Sequence, residues 1–122
     1  MNKKNLILIV DDEEEIRLLL KEFLEKKDFE VLVAEDGKKA LELAEKRIPD
    51  LVITDLLLPK EHGIDVIHEI KDRFFIPVIA ISGIYKKAEI KEKLDDVYLE
   101  DFFEKPLNLE ELFKGIQNVL NG

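Results

Sequence analysis

The chain has 122 residues and no cysteine, which fits one domain that buries a core without disulfide bonds. Thiolate catalysis and cysteine-ligated zinc are excluded, and a cytoplasmic setting is expected. Its 28 acidic and 19 basic residues give a net charge of −9, which repels nucleic acid and anionic lipid. We therefore expect neither direct nucleic-acid binding nor a membrane partner, and no apolar run approaches a transmembrane length.

Short apolar runs predict five β-strands. In chain order they cover residues 6–10, 29–34, 51–54, 76–81 and a short stretch around 102–103. The first, third and fourth runs are apolar throughout, which is typical of strands covered on both faces in a parallel sheet.

Segments with apolar residues at helical spacing follow each predicted strand. Asp12 is the predicted cap of the first helix and Asn108 that of the last. The apolar stripes are Ile16, Leu19, Leu20, Phe23 and Leu24; then Ala40, Leu41, Ala44 and Ile48; then Ile67, Ile70 and Phe74; a weaker set of Ile90, Leu94 and Val97; and finally Leu109, Leu112, Phe113, Ile116 and Leu120.

This fivefold alternation of strand and helix predicts a doubly wound α/β fold, because parallel neighbours need crossover helices. Neither a flexible linker nor a repeat divides the sequence. We expect one domain over residues 1–122, with no room for an output domain.

Reactive or charged side chains stand where four of the predicted strands end. Asp11 and Asp12 follow the first strand, Asp55 the third, Ser82 the fourth and Lys105 the fifth. The carboxyl ends of parallel strands share one edge, so these residues should converge. Three carboxylates with a hydroxyl and an ammonium could hold a hard divalent cation and accept a phosphoryl group on oxygen.

Four segments in this order resemble the receiver domain of two-component response regulators. They are ILIVDDEE, DLVITDLLLPKEHG, PVIAISG and FFEKP, and together they span nearly the whole chain. Pro59 and Gly63 follow Asp55 at the family's offsets of four and eight residues. The resemblance implies a flavodoxin-like, five-stranded parallel sheet in the order 2-1-3-4-5 with helices on both faces.

The resemblance also implies a role for each site residue. Asp55 would be the phosphoacceptor, and Mg²⁺, with Mn²⁺ as a substitute, would be held by Asp11, Asp12, Asp55 and the backbone carbonyl of Leu57. Lys105 would contact the acceptor and then the phosphoryl group. The remaining implied roles are a phosphoryl-binding hydroxyl on Ser82, a switch aromatic at Phe102 that moves inward, and a cis peptide bond between Lys105 and Pro106.

The function implied is a phospho-accepting switch rather than a turnover enzyme. A histidine kinase or histidine phosphotransfer protein would donate the phosphoryl group. The face formed by the last two strands and the fourth predicted helix would then change for a downstream protein target or for onward transfer. A monomer is expected, with a phosphorylation-dependent dimer as the open alternative.

Plainer interpretations stand beside these roles. The run DDEEE suits a helix N-terminus, which explains Glu13 to Glu15 well and Asp11 poorly. Taken alone, Ser82 would be an ordinary loop serine and Lys105 a solvated lysine. Phe102 would be a core residue. His62 and His68, six residues apart, read as surface histidines rather than metal ligands.

Two other classes of function remain as alternatives to a phospho-accepting switch. A phosphatase of the haloacid dehalogenase kind also uses an aspartyl phosphate and Mg²⁺, but it needs a second aspartate two residues after the nucleophile, where this chain has Leu57. A flavodoxin-like FMN binder needs a phosphate loop rich in small polar residues after the first strand. The acidic run found there repels phosphate.

Overall fold

The computed structural model describes residues 3–58, 63–86 and 98–122. Strands and helices alternate through most of this part of the chain. The strands are β1 (Leu6–Val10), β2 (Glu30–Ala34), β3 (Leu51–Asp55), β4 (Val78–Ser82) and β5 (Asp101–Glu104). The helices are α1 (Glu14–Lys26), α2 (Gly37–Lys46), α3 (Gly63–Phe74) and a C-terminal helix (Leu109–Asn121).

The five strands form one parallel sheet in the order β2-β1-β3-β4-β5. Each strand is four or five residues long, and the three central strands are buried along their whole length. The predicted doubly wound fold and its strand order are confirmed.

Alternate residues of each central strand enter separate cores on the two faces of the sheet, as the two-residue period of a strand requires. On one face Leu8 and Val52 pack with α2 and α3 residues such as Ala44 and Ile67. On the other face Ile7 and Ile53 belong to a core that α1 and the C-terminal helix complete. Helices therefore cover both faces and leave the carboxyl ends of the strands open for a site.

The helical stripes are only partly correct. Leu20 and Leu24 of α1 are fully buried, but Leu19 is 44% exposed, so its expected place in the core is wrong. Ile48 is 63% exposed because α2 ends at Lys46, so Ile48 lies in the connection to β3 and not on the helix. The buried stripe of α1 is therefore narrower than predicted, and the buried stripe of α2 is shorter.

One of the two predicted helix caps is confirmed and the other is wrong. Asn108 caps the C-terminal helix by accepting a hydrogen bond from the backbone of Glu111 at 3.1 Å, as predicted. Asp12 does not cap α1, whose N-cap position is Glu13 and has no side-chain cap bond.

Among the described residues, no helix is both long and apolar enough to cross a membrane. The helix predicted from Ile90, Leu94 and Val97 lies outside the described residues, as do Pro59 and His62.

Candidate functional site

Carboxylates from two neighbouring strand ends meet at the open edge of the sheet. Because β1 pairs with β3, the residue after Val10 comes beside the end of β3. Asp11, Asp12, Glu13 and Asp55 each place a ligand oxygen within 4.8 Å of the others. The predicted convergence of Asp11, Asp12 and Asp55 is therefore observed, and Glu13 joins them.

Asp11 is the most deeply placed of these acids. Its side chain is fully buried, and its Oδ1 accepts a hydrogen bond from the backbone of Glu13 at 2.9 Å. Its Oδ2 lies 2.9 Å from Lys105 Nζ in an ion pair that lacks hydrogen-bond geometry. Burial raises the pKa of Asp11, although the Glu13 amide and the Lys105 ammonium oppose the rise.

Asp55 uses both carboxylate oxygens within the protein. Oδ1 accepts a hydrogen bond from the backbone of Leu57 at 3.0 Å, and Oδ2 accepts one from Lys105 Nζ at 2.9 Å. The Asp55 side chain is 8% exposed. The carboxylate is therefore oriented by two donors at the rim of the cleft.

Lys105 is the cation of the site. Its ammonium lies 2.9 Å from carboxylate oxygens of Asp11, Glu13 and Asp55. Burial alone would lower the pKa of Lys105, but these carboxylates outweigh it and raise the pKa above its ordinary value. The peptide bond between Lys105 and Pro106 is cis.

Ser82 is buried at the end of β4. Its Oγ accepts hydrogen bonds from the backbone amides of Ile84 and Tyr85, both at 3.1 Å. The hydroxyl therefore holds the turn after β4 in this structure. The proton of this hydroxyl is separate from the two bonds that Oγ accepts.

Phe102 on β5 is buried in the core shared with α2 and α3. Tyr85, which follows the Ser82 turn, packs against the same core. The ring is thus already buried in this structure, and the predicted role of Phe102 as a switch aromatic stays a prediction. Phe102 and Tyr85 are therefore parts of one hydrophobic core.

Sequence reasoning missed two residues that organise the acids. Glu13 was explained as a helix N-terminal acid, yet its carboxylate binds the Lys105 ammonium. Arg17 donates a hydrogen bond from Nη1 to the backbone carbonyl of Asp11 at 2.8 Å. The signal for Arg17 was its place one turn into α1, from which a long side chain reaches back to the strand end.

The residues at this edge fit a hard divalent cation. Four carboxylates lie close together and one ammonium pairs with three of them, which leaves the cluster with an excess of negative charge. Asp11 Oδ2 is buried and accepts no hydrogen bond, so it retains a lone pair for a metal. Oxygen donors of this kind are those that Mg²⁺ prefers.

Comparison with known proteins assigns the chain to a family. A family model described as the response regulator receiver domain matches residues 7–117. The chain belongs to this family. Receiver domains of two-component response regulators are signalling switches rather than turnover enzymes, and phosphorylation and magnesium binding at an acidic pocket are typical of them. The phosphatase and FMN-binding alternatives are thereby set aside.

Relatives of this receiver domain include transcriptional regulators. It is 38% identical over 117 residues to the transcriptional regulatory protein CpxR of Escherichia coli, with 95% of this chain and 49% of that protein covered. It is 35% identical over 122 residues to the alkaline phosphatase synthesis transcriptional regulatory protein PhoP of Bacillus subtilis, with 98% and 49% covered. The chain thus spans about half the length of these relatives. Because they are named as transcriptional regulators, the expected absence of direct nucleic-acid binding is not confirmed.

Solved structures give the same fold. The chemotaxis response regulator CheY4 of Vibrio cholerae superimposes on the receiver domain with a TM-score of 0.88 at 29% identity, with 97% of this chain and 100% of that chain covered. The sheet and its helices are therefore those of a receiver domain.

Proposed function

We propose that Asp55 accepts a phosphoryl group from a histidine of a partner protein and that the acidic edge holds the Mg²⁺ this reaction needs. The observation that carries the proposal is the position of Asp55 Oδ2, which lies 2.9 Å from the Lys105 ammonium and within the cluster that includes Asp11 and Asp12. A nucleophilic oxygen is thereby set beside both a fixed cation and a metal pocket.

The transfer balances as a displacement at phosphorus. An oxygen of Asp55 forms a bond to phosphorus while the phosphorus–nitrogen bond of the donor phosphohistidine breaks. The histidine nitrogen keeps the bonding electrons and takes up a proton. Hydrolysis later breaks the bond between Asp55 and phosphorus, so that water releases inorganic phosphate and the carboxylate returns.

Asp11, Asp12, Asp55 and the carbonyl of Leu57 would hold Mg²⁺, and Mn²⁺ would substitute for it. When bound, the ion neutralises charge between the anionic donor and the anionic acceptor. Lys105 would keep one donor on Asp55 before transfer and bind a phosphoryl oxygen afterwards.

Ser82 would carry the change outward. Its hydroxyl would donate its proton to a phosphoryl oxygen, and a shift of Ser82 toward that oxygen would weaken the bonds that Oγ now accepts from the amides of Ile84 and Tyr85. Tyr85 of this turn packs against the same hydrophobic core as Phe102, so movement of the turn would reach Phe102. The face formed by β4, β5 and the segment between them would therefore differ between the two states.

The partners follow from this chemistry. A histidine kinase or a histidine phosphotransfer protein supplies the phosphoryl group. A downstream protein target, or a second histidine that takes the group onward, responds to the changed face. We propose a monomer before phosphorylation.

Intact-mass measurement after incubation with acetyl phosphate tests the acceptor. With Mg²⁺ present, we expect the chain to gain one phosphoryl group as the phosphorus–oxygen bond to acetate breaks and acetate leaves. The Asp55→Asn variant should gain none, because an amide oxygen is a poor nucleophile. Removal of Mg²⁺ with a chelator should abolish the gain in the unmodified protein.

Asp50→Asn is the matched control, since Asp50 precedes β3 at the opposite edge of the sheet and accepts a hydrogen bond from the Leu6 amide. That variant should be phosphorylated as fast as the unmodified protein. A phosphoryl group that survives Asp55→Asn would show that the acceptor is another residue.

A further inference from the structure

Glu13 makes a contact that the proposed phosphotransfer does not use. Its Oε1 accepts a hydrogen bond from Lys105 Nζ at 2.9 Å, while Asp11 and Asp55 lie at the same distance from the ammonium. An ammonium has three protons to donate. Hydrogen bonds to Glu13 and Asp55 use two of these protons, and the ion pair with Asp11 attracts the same ammonium. An incoming phosphoryl oxygen must therefore compete with these carboxylates for Lys105.

The three carboxylates differ in what the reaction does to them. Asp11 is buried and placed to bind a metal, and Asp55 loses its carboxylate charge when it is phosphorylated. Glu13 alone keeps both its charge and its freedom throughout. It is therefore the group that competes with the phosphoryl oxygens for Lys105.

The position of Glu13 suits this competition. Its side chain is 58% exposed, whereas its backbone amide is fixed to Asp11 Oδ1. The main chain is thus fixed to the site while the carboxylate can reach solvent. Exposed ion pairs are weak, so exchange of Lys105 between Glu13 and another anion costs little.

We propose that Glu13 is a positioning residue that holds the Lys105 ammonium at the mouth of the pocket. When a metal takes Asp11, Glu13 gives the displaced ammonium an anionic partner, which favours metal binding. When a phosphoryl group arrives, the same contact holds the ammonium back and slows transfer. This inference rests on the phosphotransfer function proposed above.

Two opposite effects of one substitution test the proposal. Glu13→Gln keeps the size of the side chain and removes its charge. We expect the affinity for Mg²⁺, measured by calorimetric titration with the metal alone, to fall roughly two- to fivefold, as for loss of an exposed ion pair. We expect the rate of phosphorylation by acetyl phosphate at saturating Mg²⁺ to rise by roughly the same factor.

Glu15→Gln is the matched control. Glu15 is an exposed acid of the same run and is not one of the three carboxylates at the ammonium, so this variant removes the same charge without the contact. It should leave the affinity and the rate close to those of the unmodified protein. If Glu13→Gln behaves like Glu15→Gln, or lowers both quantities, the proposal is overturned.

A double-mutant cycle shows whether Glu13 acts through Lys105. In a Lys105→Met background, Glu13→Gln should weaken Mg²⁺ binding less than it does in the unmodified protein. An equal loss in both backgrounds would make Glu13 a direct contributor of charge and refute the positioning role. Failure of phosphorylation in the unmodified protein would instead count against the proposed function, and the binding cycle would still report on Glu13.

Discussion

Gly63 packs closely against the backbone of Asp55 and Leu56. It begins α3, and its amide donates a hydrogen bond to the carbonyl of Leu56 at 3.1 Å. A Cβ at this position would lie 2.5 Å from that carbonyl oxygen and 2.7 Å from the carbonyl oxygen of Asp55. Backbone atoms cannot turn aside as a flexible side chain can. Only glycine therefore fits here without a shift of the backbone at Asp55 and Leu56.

Gly63→Ala should therefore destabilise the fold by about 1–3 kcal/mol, as overpacking commonly does, and should slow phosphorylation of Asp55. Gly83→Ala is the control, because its Cβ would meet Lys105 Cδ at an ordinary 3.7 Å. Urea unfolding and the acetyl phosphate assay would measure the two effects. Equal stability of the two alanine variants would contradict this account of Gly63.

The sequence predicted some residues of the site better than others. Asp11, Asp55 and Lys105 were found because strand ends in a parallel sheet must share an edge. Glu13 was missed because an acid at a helix start has a sufficient local explanation, and its ion pair with Lys105 joins residues 92 positions apart. Only tertiary structure reveals such a pair.

At the scale of elements, Glu100 joins the starts of two strands to a helix. Its Oε1 accepts hydrogen bonds from Lys71 Nζ of α3 and from the backbone of Val78 in β4, both at 2.7 Å. Its own amide donates to the carbonyl of Val78 at 3.0 Å. Glu100 thus fixes the beginning of β5 against β4 and α3, at the edge opposite the site.

Glu100→Ala should lower the free energy of unfolding by about 1–3 kcal/mol, because it leaves the amide of Val78 without its acceptor in a partly buried setting. Glu25→Ala removes an acid from the exposed pair that Lys21 and Glu25 form on α1, and should cost less than about 0.5 kcal/mol. Thermal unfolding of both variants would compare them. A larger loss for Glu25→Ala would refute the role given to Glu100.

Element types were predictable and their limits less so. The run LILIV gave β1 with its observed bounds, since continuous apolar residues suit a strand covered on both faces. The start of β4 was placed two residues early, because Ile76 is buried but precedes the strand at Val78. An apolar pattern reports burial, whereas pairing of the backbone decides where a strand begins.

At the scale of the whole molecule, the parallel sheet brings together acids that are far apart in the chain. Asp11 follows β1 and Asp55 ends β3, and these two strands are neighbours although α1, β2 and α2 separate them in sequence. Lys105 comes from the end of β5. The fold therefore concentrates negative charge at one edge, where the acids could hold a divalent cation.

The pH dependence of metal binding follows from the buried acid. The pKa of Asp11 is raised in the folded protein, so Asp11 takes up a proton at a higher pH than an ordinary aspartate. Protons and Mg²⁺ compete for its carboxylate. Affinity for Mg²⁺ should therefore be greatest above the raised pKa and should fall as the pH drops through it.

Calorimetric titration with Mg²⁺ tests the central claim most directly, because it asks whether acids from two separate strands form one metal pocket. We expect one ion per chain and a loss of about tenfold or more in affinity, equivalent to about 1.4 kcal/mol, in both Asp11→Asn and Asp55→Asn. Asp50→Asn should bind as the unmodified protein does, and binding should be weaker at about pH 5 than at about pH 8. Unchanged affinity in Asp11→Asn or in Asp55→Asn would contradict the account.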